Sequence, residues 1–107
     1  MQPSPIGNEL TMSSQIIFKF RLYVAGDAPN SAQAFANLTA LCRVYLTNRH
    51  EIEIVDVFRE PKRALIDGVF MTPTLFKLAP TPVQIIVGSL SQTQTVLHAL
   101  NLEAVAL

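Results

Sequence analysis

Cys42, His50, His98, Asp56 and the run Arg59, Lys62 and Arg63 are the side chains of this 107-residue chain whose chemistry first calls for an account. A lone thiol becomes a nucleophile when a neighbouring cation lowers its pKa, but no His or Lys adjoins Cys42 in sequence. Cys42 shares helical spacing with Ala34, Phe35, Leu38, Leu41 and Tyr45, so it reads as a small hydrophobe in a buried stripe. His50 and His98 are far apart and lie in no metal-ligand or nucleophile pattern. No serine elbow, phosphate-cradling glycine loop, dinucleotide glycine pattern or Cys/His cluster occurs, so the residues specify no catalytic or metal centre and call for no cofactor. Asp56, between Val55 and Val57, reads as a carboxylate paired structurally near a strand end. What remains is recognition. Arg59, Lys62 and Arg63 form a local basic cluster, either a solvated helix end or a contact for an acidic surface. Glu51 and Glu53 alternate with Ile52 and Ile54, which places them on a solvated face that can also serve as a charged docking edge.

Eight basic and eight acidic residues cancel, so no global field draws the chain to nucleic acid or to a membrane surface. At 107 residues it makes one domain, and a half-hydrophobic composition favours self-association. The single cysteine, the lack of a signal-peptide pattern and the lack of an apolar run long enough to span a bilayer predict a soluble, cytoplasmic protein.

The elements that must position these residues can be read in order. Residues 1–14, with Pro3, Pro5 and Gly7, read as a loose arm, residues 15–103 as the domain and 104–107 as a short tail. Phe18, Phe20, Leu22 and Val24 alternate, predicting a strand over residues 16–24. Pro29 sets the first turn of a helix reaching about residue 46, with Asp27, Asn30 and Ser31 available to cap it. The β-branched run over residues 52–58 predicts a second strand, parallel to the first. Residues 61–68 read as a short helix with Pro61 in its first turn and Gly68 past its end, yet residues 64–71 also form an apolar run that periodicity cannot tell from a buried strand. Thr72-Pro73 follows as an extended dipeptide open to a cis bond. Residues 75–78 and 83–87 flank a proline-stiffened turn and predict a hairpin. Gly88 breaks it, and Ser91 and Gln94 have the spacing of a capping box for a last helix over residues 91–102. The order β, α, β, short α, β, β, α is that of an α/β, thioredoxin-like domain. In such domains the first strand-to-helix turn carries a pair of cysteines and a cis-proline faces it. Here the turn Ala25-Gly-Asp-Ala-Pro-Asn-Ser31 contains no sulfur, which points to binding.

Leu22-Tyr-Val-Ala-Gly-Asp-Ala-Pro-Asn-Ser31, Val55-Asp-Val57 followed by Pro61, Thr72-Pro-Thr-Leu75, Pro82-Val83 and Gly88-Ser-Leu-Ser91 resemble the KaiB family of cyanobacterial clock proteins over about residues 18–102. The resemblance implies a protein without enzymatic activity that docks on the ATPase ring of KaiC, captures KaiA there and competes with a thioredoxin-like sensor domain of a histidine kinase. It also implies two folds. One is a resting homotetramer ordered β, α, β, β, α, α, β, and the other a thioredoxin-like monomer that binds partners. Two such packings need differ by only a few kcal/mol. Glu51, Glu53, Arg59, Lys62 and Arg63 are then the expected partner-binding residues. Pro73, Gly88 and Ser89 are those expected at the switch, with Gly88→Ala disfavouring the resting form. Relative to familiar members, Glu53 and Gly68 replace lysines, Gln84-Ile85 two arginines and Ser89 an aspartate, and the acidic tail is missing. These differences imply a divergent member matched to a divergent KaiC-like ATPase. A stress or signalling adaptor built on the same fold is the alternative reading.

Overall fold

The computed structural model describes residues 16–102, so the expected arm and tail lie outside the described residues. The elements are β1 (Phe18–Val24), α1 (Pro29–Tyr45), β2 (His50–Asp56), α2 (Pro61–Ile66), β3 (Thr74–Ala79), β4 (Gln84–Val87) and α3 (Thr93–Ala99). They form a four-stranded sheet in the order β2-β1-β3-β4, with β1 and β2 parallel and the other neighbours antiparallel. This is the element order read from the residues.

The period-2 pattern of β1 sorts the core. Phe20, Leu22 and Val24 turn to the side covered by α1 and α3, where Leu38, Leu41, Cys42, Leu97 and Leu100 complete one cluster. Tyr23 turns the other way and packs with Val55, Phe76 and Ala64 of α2. Two faces are therefore covered unequally: a 17-residue helix on one side, a 6-residue helix on the other.

Several local expectations differ from what forms. Spacing places Phe35 in the buried stripe, but it is 46% exposed, because the stripe of α1 that meets the sheet is narrow and carries Ser31, Ala34, Leu38, Leu41 and Cys42. No side chain caps α1. Ser31 Oγ instead accepts a hydrogen bond from the Ala25 amide at 3.0 Å. The Ser91–Gln94 capping box does not form, and α3 begins at Thr93 and stops at Ala99. The open choice over residues 64–71 falls to the helix. Gly68, at φ +72°, ends it: its amide reaches the Leu65 carbonyl and the Val69 amide reaches that of Ala64, a Schellman closure that needs a residue at positive φ. Thr72-Pro73 is cis, as are Ala79-Pro80 and Thr81-Pro82.

Lys77 lies in the middle strands on the α1/α3 side, 2% exposed, with its ammonium 5.9 Å from the centre of the Phe18 ring. No carboxylate pairs with it among the described residues. Burial lowers its pKa from the ordinary 10.5. A lowered lysine pKa means that the folded state holds the charge at a cost, which is full at neutral pH and fades as pH rises toward 10.5. Lys77→Met keeps the apolar stem and removes that cost. It should raise stability by about 1 kcal/mol at pH 7, measured by chemical denaturation, with the advantage over wild type shrinking at pH 10.

Candidate protein-binding face

The carboxyl ends of β1 and β2 meet at one corner of the molecule. Asp56 Oδ1 accepts hydrogen bonds from the amides of Gly26, at 3.2 Å, and Phe58, at 2.9 Å, so a single carboxylate pins the turn after β1 to the turn after β2. Gly26 adopts φ +55°, and the Phe58 ring lies 3.6 Å from where its Cβ would be. No cysteine lies at this corner among the described residues. The thiol of Cys42 is fully buried in the α1 stripe, and burial pushes its pKa up to about 12, so it is protonated and shielded.

Beside this corner a polar network holds α2 to the sheet. Arg21 of β1 donates from Nε to Glu53 of β2 at 2.8 Å and from Nη1 to Asp67, just past α2, at 3.1 Å. Arg63 of α2 donates from Nη2 to the other oxygen of Glu53 at 2.8 Å and from Nη1 to Glu60 at 3.3 Å. The buried Tyr23 hydroxyl donates to Asp67. The two arginines hold the Glu53 carboxyl below its ordinary 4.5, Arg21 most, and the Tyr23 hydroxyl, then Arg21, hold Asp67 below 3.8. Burial and then Asp67 raise the Tyr23 phenol above 10.

With its polar side tied down, α2 and the loop after it turn apolar side chains outward. Leu65, Ile66, Phe70, Met71 and Phe58 are 63% to 88% exposed, and Phe70 is the most exposed of them. Ala25, Val57, Phe58, Phe70 and Thr72 line a depression of about 220 Å³ between this loop and the pinned corner. Arg59, next to Phe58 in the chain, and Lys62 of α2 are both exposed. The arrangement has the anatomy of a protein-binding surface, with aromatic and aliphatic groups at the centre and cations around them.

Residues 21–102 match the KaiB domain model. The chain belongs to the KaiB family. It is 40% identical over 82 residues to circadian clock protein KaiB3 of Synechocystis, covering 77% of this chain and 80% of that one. It is 37% identical over 91 residues to circadian clock oscillator protein KaiB of Synechococcus elongatus, covering 85% and 89%. Among solved structures it is similar to chloroplastic thioredoxin z, with TM-score 0.67, 18% identity and coverage of 95% and 92%. It is also similar to the N-terminal domain of Synechococcus elongatus SasA, with TM-score 0.64, 18% identity and coverage of 94% and 91%. The fold is thus thioredoxin-like in a member of a clock-protein family. No helix among the described residues is long and apolar enough to cross a membrane.

On the KaiB-family fold the residues singled out in sequence divide into three groups. Glu53 and Arg63 are engaged with each other, while Arg59 is 87% exposed and held only loosely, 3.9 Å from Asp56. Glu51 shares the face of β2 with Glu53, two residues away, and both it and Lys62 are free of any ion pair among the described residues. Pro73, Gly88 and Ser89 come together at the junction of β3 and β4: the Gly88 amide donates to the Pro73 carbonyl at 2.9 Å, and the Ser89 carbonyl accepts from Asn37 at 2.8 Å. Sequence reasoning passed over Phe58, Leu65, Ile66, Phe70 and Met71. The signal for the last four was the undecided run over residues 64–71, too apolar for a short surface helix.

If the network holds α2, Tyr23→Phe should cost about 1.5 kcal/mol at pH 7, the range for a hydrogen bond to a charged group. Because Asp67 titrates below its ordinary 3.8 when folded, this contribution is present above that pH and lost below it. The gap between mutant and wild type in urea denaturation should therefore start to close only as pH falls below 3.8 and vanish below the lowered folded-state value.

Proposed function

We propose that this protein is a non-enzymatic, KaiB-type regulator that docks on a KaiC-like ATPase ring and modulates its phosphorylation state, a KaiA-like protein being a further partner. The observation that carries the reading is the outward apolar face of α2 and its following loop, on a chain that covers most of the length of KaiB relatives. Exposing Phe70 and Ile66 to water has no benefit for the isolated fold, and aromatic groups in the middle of such a face dominate binding energies. Glu53 contributes indirectly. By taking up Arg63 it withdraws one cation from the rim and leaves Arg59 and Lys62 to meet an acidic surface, which selects a partner with less negative charge at that point.

The proposal includes the second, resting arrangement, populated as a homotetramer or dimer. The apolar groups that α2 leaves in water are ones another packing would cover, and a rare binding form weakens apparent affinity by its population. Gly88 sits at φ +121° in the thioredoxin-like arrangement, with no atom within 4 Å of a built Cβ, so a side chain there is opposed by backbone strain and not by crowding. The cost falls on the arrangement described here, whereas the family resemblance alone assigned it to the resting one.

Two outcomes follow. Ile66→Ser and Phe70→Ala should each weaken binding to the KaiC-like ATPase of the same cell by about tenfold or more while leaving the circular dichroism spectrum intact. Unchanged affinity in both would remove this face from the interface. Gly88→Ala should lower the stability of the thioredoxin-like monomer by about 1 kcal/mol or more, read from its thermal midpoint, and slow or weaken docking.

A further inference from the structure

Among the described residues the sheet has two open edges, and they differ in charge. The β2 edge carries Glu51, Glu53 and Asp56, whereas residues 82–91 around β4 contain no charged side chain. Edge strands are ordinarily protected by charge, and the β4 edge lacks that protection. The pairing between β3 and β4 fixes which groups it offers. The Gly88 amide bonds to Pro73, and Ile86 and Gln84 stand opposite Leu75 and Lys77 in the same phase, so the amides and carbonyls of Ile85 and Val87 point outward. Their side chains are 58% and 52% exposed on the face that also carries Phe76 and the outward Phe70. Phe70, Phe76, Ile85 and Val87 line a second depression, of about 160 Å³.

We propose that β4 pairs antiparallel with β4 of a second copy, about a two-fold axis beside Ile86. In this register Ile85 faces Val87 of the other copy in both directions, and all four outward backbone groups of each strand find partners. The result is a continuous eight-stranded sheet with apolar cross-strand pairs on one face. Charge argues for a second copy as the occupant. The edge is neutral and the chain has no net charge, so two identical edges meet without repulsion, which the acidic β2 edge does not permit. Area sets the strength. A four-residue edge falls short of the roughly 800 Å² per partner of a stable interface, and Phe70 adds roughly 200 Å², so the dimer is weak, with a dissociation constant in the micromolar to sub-millimolar range.

The test is sedimentation equilibrium over a micromolar-to-millimolar series. The thioredoxin-like form, separated by size exclusion from any resting tetramer, should show a monomer–dimer equilibrium in the wild type, and Ile85→Lys should raise its dissociation constant by about tenfold or more. Val87→Pro should do the same, because it removes an outward donor without touching the bonds between β3 and β4. Ile54→Lys, on the β2 edge, should leave the equilibrium unchanged, and circular dichroism verifies that each variant is folded. Wild type that is monomeric throughout overturns the proposal. So does a dimer of the thioredoxin-like form that resists both β4 variants or dissociates with Ile54→Lys.

Discussion

The position of α2 depends on one polar network. Arg21 reaches from the first strand to Glu53 of its neighbour and to Asp67 beyond the helix, Arg63 returns to Glu53, and Tyr23 secures Asp67 from beneath. A six-residue helix with only Ala64 buried has too little apolar contact to place itself. An exposed ion pair contributes roughly 0 to 1 kcal/mol, but here the pairs share partners, one of them, Arg21–Asp67, meets a buried phenol, and together they join three elements. That coupling gives α2 one orientation and leaves its apolar side chains in water.

The same constraint bears on the proposed recognition role. The corner where thioredoxin-like proteins hold reactive sulfur is here closed by Asp56, whose carboxylate links two turns, while the only thiol is buried on the opposite side of the sheet. Phe58 and Phe70 flank the resulting depression. Binding energy at such a place comes from burying these rings, with the rim cations adding selectivity and association rate.

The fold was largely legible in the residues. Alternation in β1, Pro29 and Pro61 at helix starts, Gly68 past the end of α2 and the proline-rich turn of the hairpin each name one local conformation, and all survive folding because tertiary packing does not oppose them. The caps were not legible, since Ser31 is taken by a nearer amide, and Phe35 misled because spacing gives a face but not its width. The candidate site was half legible. Charged residues announced themselves by type, but the pairing of Glu53 with Arg21 and Arg63 spans three elements, and no local pattern encodes it. The apolar face was visible only as a contradiction between helix and strand signals. Apolar residues left on the surface look, in sequence, like core.

Amide hydrogen–deuterium exchange of the protein, alone and with the KaiC-like ATPase ring of the same cell, tests the central claim most directly. The account predicts new protection concentrated in residues 58–71, with α1 and α3 unchanged. Protection confined to α1 or α3, or none over residues 58–71 in a complex shown to have formed, would contradict it.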